Sequence, residues 1–455
     1  MTAEIAIMNR SAIALAADSA VTVTQVGEDK DGNRIYRQKI YSNANKLFEL
    51  VKGRPIGIMI YNNAELLDVP WETLIKLFRE ENRDCVADSV DAYFERFISF
   101  LSKNTDRFFP VEAQVEYFEA FMRAFVDQFL NTFSGHLQHM ATERSIRLTK
   151  GIKRQTIESL LDRLLVGWQK VKRAPWSRDL PAAELNEIRR AILELMPDEA
   201  EGFLLLAKHK RQLRDAATLA LLCATDPPSW TGLVVAGFGQ GEPYPSLCHM
   251  KISGVVGNRL MILGQLKRSV DSESGAMIMP FAQSAEAQLF LTGVDPEVAD
   301  AIGSFWSEVT TKLPHAISKI VSDTGASLTD AQEEAVNEAL ETFGGAIWDS
   351  FAEYMNRFHE DTRISPISAG ARFMAKSDLA ELSEALVNLA TLRARVSIDR
   401  SETVGGATDV AVISPGDGFV WIKRKHYFDL SLNPFWAVRH GVEHVPCPQD
   451  SRGGY

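Results

Sequence analysis

A chain of 455 residues, 45% apolar and 24% charged, has the length of two or three ordinary domains or of one domain carrying large insertions. These proportions exclude pervasive disorder, and a formal net charge of −11 argues against nonspecific binding to nucleic acid or to an anionic membrane. Four widely spaced cysteines, Cys85, Cys223, Cys248 and Cys447, form no CxxC pair, so neither a zinc site nor a disulfide framework is expected and a reducing cytoplasm fits.

The opening MTAEIAIMNRSAIALAADSAVTV turns apolar at residue 3, although chain ends are ordinarily poorly ordered unless something ties them down. Glu4, Asn9, Arg10 and Asp18 interrupt what a signal peptide would need, and no run of about 18 apolar residues occurs, so a cytoplasmic protein without a membrane span is expected. EIAIM and AIALAA, on either side of Asn9-Arg10-Ser11, predict two strands buried on both faces. RIYRQKIY (Arg34 to Tyr41), after the turn-rich GEDKDGN, predicts another, and KLFELVKGRPIGIMIY (Lys46 to Tyr61) predicts two more around Lys52-Gly53-Arg54-Pro55.

From Asn63 to about Ala224 the apolar period becomes helical. The runs AELLDVPWETLIKLFREE, VEAQVEYFEAFMRAFVDQFLNTF and AEGFLLLAKHKRQLRDAATLALL belong to five or six predicted helices, with breaks near Pro110, Pro175, Pro181 and Pro197. Ser229 to Leu266 predicts three short strands separated by Gly, Pro and Asn turns. Helices resume from about Ser284 to Arg395, with an irregular connection at HEDTRISPISAG, and TDVAVISPGDGFVWIKRK (Thr408 to Lys425) predicts a hairpin. Blocks of strands and blocks of helices predict an α+β class with mainly antiparallel sheets. Strands apolar on both faces need cover twice, which predicts two stacked sheets between helical layers, a four-layer αββα sandwich.

The chemistry concentrates at the start. A small second residue permits removal of Met1, and an exposed Thr2 would hold a nucleophilic hydroxyl and, in an α-amine of reference pKa about 8, its own base. ALAADSAVT resembles the matching segment of the proteasome β-subunit family and its bacterial HslV-type relatives, the N-terminal-nucleophile (Ntn) hydrolases. The resemblance implies Thr2 as nucleophile, Asp18 at the family's catalytic aspartate position and Thr22 at its substrate-backbone-binding threonine. NKLFELVKGRPIGIMIY then supplies Lys46 at the catalytic lysine position, beyond an extra hairpin turn GEDKDGNRIYRQ. An ammonium beside the Thr2 hydroxyl favours the alkoxide and keeps the α-amine neutral, while the Asp18 carboxylate holds that lysine.

RSETVGGATDVAVISPGDGFVWIKR is similar to the family's last helix-to-strand junction. Gly405-Gly406 matches its glycine pair, but Val404 stands at its serine and Ser401 at its aspartate, so that either Ser401, Glu402 or Thr403 binds the amine or that part of the network is missing. The family's glycine-rich oxyanion turn is Ile60-Tyr61-Asn62-Asn63 here, with a backbone N–H of Tyr61 or Asn62 as donor. VVAGFGQGEPYPSLCHMKISGVV resembles its central hairpin, and PFAQSAEAQLFLTG its third-helix start, where Ser284 would help order the catalytic water or serve as an N-cap.

The resemblance implies a core made of residues 2–67, 229–294 and 370–430, helical insertions at 68–228 and 295–369, and a C-terminal extension at 431–455. It implies a threonine-dependent amide or peptide hydrolase without metal or cofactor, a homo-oligomer acting on peptide or protein, with an unfoldase as a further partner. The alternative is a catalytically silent assembly or binding protein whose insertions engage a partner. His136 and His139 of HLQH lack a further ligand at zinc spacing and read as surface residues. GFGQG lacks the Lys-Ser/Thr ending of a phosphate loop and reads as a hairpin turn, while Cys223 and Cys248 read as core residues.

Overall fold

The computed structural model describes residues 3–28, 34–41, 44–142, 146–223, 227, 229–271, 275–282, 285–323, 329–396, 405–426, 428–429, 432–433 and 435, leaving aside the side chains of 22–40 and of several positions in 311–341. Thr2, Ser284 and Ser401 lie outside the described residues, and Thr22 is described by its backbone alone.

The chain starts with β1 (Ala3–Asn9), β2 (Ile13–Ala17), β3 (Val21–Glu28), β4 (Arg34–Tyr41), β5 (Leu47–Glu49), β6 (Ile56–Asn62), β7 (Glu65–Leu66) and β8 (Val69–Pro70). Helices α1 (Trp71–Glu81), α2 (Val90–Lys103), α3 (Thr105–Phe108), α4 (Val111–Thr142), α5 (Lys150–Gln169) and α6 (Ala182–Glu194) follow. After the small hairpin β9 (Glu199–Ala200) and β10 (Phe203–Leu204) come α7 (Ala207–Leu222), β11 (Thr231–Gly237), β12 (Ser246–Val256), β13 (Arg259–Ser269) and β14 (Ala276–Ala282). The last part holds α8 (Ala285–Thr292), α9 (Pro296–Asp323), α10 (Asp330–His359), α11 (Ser365–Ala371), α12 (Lys376–Val396), β15 (Asp409–Ser414) and β16 (Gly418–Lys423). The class is α+β. Two five-stranded antiparallel sheets form it, in the orders β14-β1-β2-β15-β16 and β13-β12-β11-β6-β5, and β3-β4 pair as a separate ribbon.

Both faces of the central strands are covered, as their apolar composition requires. Ala6, Met8, Leu15 and Ala17 of the first sheet pack with Met59, Tyr61, Val234 and Ala236 of the second. The other face of the first sheet, Ile5, Ile7, Ala14 and Ala16, packs on Leu379, Leu386 and Val387 of α12. The other face of the second, Ile58, Ile60, Leu233 and Val235, packs on Trp71, Phe78, Phe94 and Phe97 of α1 and α2. Each such buried Ile, Leu, Val, Met or Phe side chain contributes about 1.5–3 kcal/mol, so the pairing of faces is strongly specified. A further cluster joins α4 to α7 through Phe129, Phe133, Leu161, Ile192 and Leu213.

Several boundaries differ from expectation for identifiable reasons. The run starting at Ala64 is not helical until Trp71, because Pro70 lacks an N–H and disfavours helix in the residue before it, leaving the hairpin β7-β8. The run starting at Ala200 first makes β9-β10, where Glu201 and Gly202 take φ of 49° and 66°, and is helical only from Ala207. Seven α-helices, rather than five or six, occupy 71–222 among the described residues, α3 being a single turn. The strands β12 and β13 have 11 residues each and are not short, and β14 is a fourth strand beyond the three expected. The segment 359–370 is continuous helix: Pro366 offers no N–H to the Thr362 carbonyl, and Glu360–Ile364 widens into a π-turn instead of unwinding. Among the described residues no helix is long and apolar enough to cross a membrane.

The turn between β1 and β2 is tied to the distant chain by Asn9, 1% exposed. Its Oδ1 accepts from the Ser11 and Ala12 amides at 2.9 and 3.2 Å, and its Nδ2 donates to the Ala371 and Met374 carbonyls at 3.1 and 3.0 Å. Asn9→Ala orphans these groups and should lower the unfolding free energy by about 2–3 kcal/mol, read as a lower urea midpoint at unchanged slope.

Candidate active site

Asp18 follows β2 directly. The register Glu4↔Ala17 sets it opposite Ala3, and the two bond reciprocally: the Asp18 amide donates to the Ala3 carbonyl at 3.1 Å, and the Ala3 amide donates to Asp18 Oδ1 at 3.2 Å. Oδ2 accepts the Gly405 amide at 3.0 Å, and Gly405 and Gly406 have φ of 159° and 79°. The glycine pair singled out from the sequence thus delivers a backbone donor to the carboxylate from the far end of the chain. Ser19 completes the join, its amide donating to the Gly405 carbonyl at 3.3 Å and its Oγ to the Ala407 carbonyl at 2.7 Å.

Lys46 arrives from the other sheet, just before β5, with its carbonyl accepting the Ile60 amide at 2.8 Å. Its Nζ is 2.6 Å from Asp18 Oδ1 and 3.4 Å from Glu4 Oε1. Asp18, Glu4 and Lys46 are 1%, 2% and 3% exposed. Removing three charges from water is costly, and such a cluster persists only where geometry and supplementary hydrogen bonds are good. Two backbone amides and one ammonium on the Asp18 carboxylate supply that. The structure therefore brings Asp18 and Lys46 together as expected, and adds Glu4, which sequence reading missed. The signal was present: one carboxylate in a strand buried along its whole length.

Tyr61 and Asn62 close β6. The Tyr61 ring fills the space between the sheets, edge-on to Trp230 at 5.6 Å and 5.8 Å from Phe281, which pairs with Glu4 in register. Gly232 lies flat beneath it, where a Cβ would sit 2.0 Å from the ring. Its phenol oxygen lies 2.7 Å from Nε2 of His249, a residue that sequence reading also missed. Burial first, and then the Lys251 charge, push His249 down to about 4 from 6.5. A neutral imidazole accepting from or donating to a phenol walls the inter-sheet space next to Phe281, 5.4 Å from the His249 ring. Asn62, at φ 73°, donates from Nδ2 to the Trp230 carbonyl at 2.9 Å.

The remaining candidates fall elsewhere. The GFGQG turn is a loop braced by Glu242, whose Oε2 accepts the Gly239 and Val90 amides at 2.7 and 3.0 Å. His136 is partly exposed and bonds the Thr132 carbonyl at 2.9 Å, and Cys85, Cys223 and Cys248 are free and buried.

Asp18→Ala leaves the ammonium facing Glu4 alone and two amides orphaned, and should destabilise by about 3 kcal/mol or more in urea unfolding. His249 gives a pH signature. Its folded pKa is depressed, so between pH 6.5 and about 4 the unfolded chain binds more protons; the contribution of the neutral ring is complete above 6.5 and lost as pH falls through that window. His249→Gln should remove about 2 kcal/mol of the stability difference between pH 7.5 and pH 4.5, measured by urea midpoints at both. Comparison of the chain with protein-family models, with curated proteins and with solved structures finds no match.

Proposed function

We propose that this protein is a threonine-dependent amide or peptide hydrolase of the proteasome β-subunit type, with Thr2 exposed by removal of Met1 as its nucleophile. One observation carries the reading: the buried Lys46–Asp18 pair lies against the Ala3 amide, which is the peptide bond to Thr2. Supporting it, Gly405 donates to the same carboxylate, and two antiparallel sheets share one core while helices pack on their outer faces, the cover that the proposed αββα sandwich of an Ntn hydrolase requires.

In this mechanism Thr2 Oγ attacks the substrate carbonyl while the Thr2 amine, directly or through water, takes the hydroxyl proton. Lys46 stabilises the developing alkoxide, and Asp18 and Glu4 hold the lysine. A backbone N–H of Tyr61 or Asn62 stabilises the oxyanion. Collapse transfers the proton to the leaving amine and leaves an ester on Thr2 Oγ; water, ordered by Ser284, then hydrolyses the ester and restores the threonine. Ser401, or its neighbours Glu402 and Thr403, binds the Thr2 amine. A peptide substrate adds as an extended strand beside Thr22. In the cytoplasm the enzyme works as a homo-oligomer on peptide or protein, with an unfoldase as a further partner.

A catalytically silent binding protein is the second reading. It is favoured by exposed apolar side chains on the paired helices α9 and α10, among them Phe305 (65%), Phe343 (62%) and Tyr354 (61%).

Thr2→Ala should abolish cleavage of a panel of fluorogenic peptides with no change in urea midpoint, and Lys46→Ala should lower kcat about a thousandfold. Cleavage by Thr2→Ala at the wild-type rate refutes the mechanism.

A further inference from the structure

Where α4 crosses the ends of β6, β11 and β12, a cavity of about 220 Å3 opens to solvent on the helix-covered side of the second sheet. At its base are two hydroxyls, Tyr117 Oη and Ser253 Oγ, both buried and neither making a well-formed hydrogen bond. Ser253 is 4% exposed. The two lie close enough that Ser253 partly offsets the burial that pushes the Tyr117 phenol up to about 12. Gly254 makes room for the Tyr117 ring, since a Cβ there would lie 2.4 Å from it. The other polar groups of the lining are already engaged: Asn63 donates to Ser229 Oγ at 3.0 Å, and Thr231 Oγ1 donates to the Asn63 carbonyl at 3.0 Å.

Two buried hydroxyls that can satisfy each other only in part leave acceptor capacity that a bound donor would fill. The rim states the charge of that donor. Glu65, Asp68 and Glu116 ring the opening, and no lysine or arginine is among the described residues lining it. Asp68 is presented there by a two-residue turn in which Leu67 and Asp68 take φ of 46° and 62°, a conformation unfavourable for leucine. Among the described residues no group of three His, Cys, Asp or Glu side chains is placed to hold a metal ion, so the carboxylates form an acidic mouth and not a ligand cage. The apolar lining includes Leu67, Ala113, Ala120 and Trp230. The lining thus combines three carboxylates, apolar side chains and two buried hydroxyls.

We propose that this cavity binds a primary alkylammonium, the side chain of a lysine in a bound polypeptide. Its methylenes lie along Leu67 and Ala113, its N–H groups donate to Tyr117 and Ser253, and the rim carboxylates attract its charge, while the Trp230 ring is engaged by the Lys251 ammonium at 4.3 Å. Trp230 stands between the cavity and the candidate active site, edge-on to Tyr61 at 5.6 Å and holding Asn62 through its carbonyl at 2.9 Å. The choice of a polypeptide rests on the hydrolase reading; the ammonium chemistry does not. The helical insertion, which contributes Tyr117 and Glu116, thereby gives the hydrolase a preference for basic sequences.

The test is a calorimetric titration of the full-length Thr2→Ala variant with an extended peptide containing one lysine, its norleucine analogue, and cadaverine. The lysine peptide should bind about tenfold more tightly than the norleucine peptide, and Ser253→Ala and the exposed-site change Glu116→Gln should each remove most of that difference. Equal binding of the two peptides, or no effect of either substitution at unchanged thermal midpoint, overturns the site. Cadaverine binding as tightly as the lysine peptide overturns the polypeptide as its source. Because the titrated variant is not required to cleave anything, a failed hydrolase assay and a failed binding assay are separate results.

Discussion

Lys46 crosses from one sheet to the other and ends between two carboxylates of the opposite sheet. Its ammonium is 2.6 Å from Asp18 and 3.4 Å from Glu4, in surroundings where all three residues are almost wholly buried. Such a cluster tolerates little displacement, because an isolated buried charge costs several kcal/mol. It therefore fixes the distance between the sheets at this end, the start of β1 at Ala3, and the approach of Gly405 to Asp18. Elsewhere the sheets are held by apolar contact, which is strong but not directional. Here they are held by geometry.

The order of β1 at Ala3 follows from that constraint. Ala3 is hydrogen-bonded through both its amide and its carbonyl to Asp18 and is 2% exposed. Order reaching to residue 3 is costly in backbone entropy. A site that needs the atoms next to Ala3 held still gives that cost a purpose.

Period and turn chemistry made the strands legible: EIAIM, AIALAA and the hairpin about Ser-Pro-Gly-Asp-Gly became β1, β2, β15 and β16. Asp18, Lys46 and Gly405 could be selected because each stood at a motif position, and the structure gathers all three. What escaped was whatever depended on a partner far away in sequence. Glu4 looked like an interruption of an apolar strand until Lys46 was seen across from it. Tyr61 was read for its backbone, whereas its ring and its bond to His249, 188 residues on, fill space between the two sheets. Ser253 and Tyr117 carried no signal, since a hydroxyl without a partner becomes meaningful only when its surroundings are known. Helix starts were misjudged at Ala64 and Ala200, where local Pro and Glu-Gly chemistry outweighed an amphipathic pattern.

The central claim is that the charge cluster exists to activate the residue joined to Ala3. Intact-mass analysis of the purified protein, before and after incubation with a β-lactone probe, addresses it most directly. The account predicts loss of Met1 and a single adduct that peptide mapping assigns to Thr2, absent when Lys46 is replaced by alanine. Retention of Met1, which blocks the amine that must act as base, or an adduct on any other residue, would contradict it.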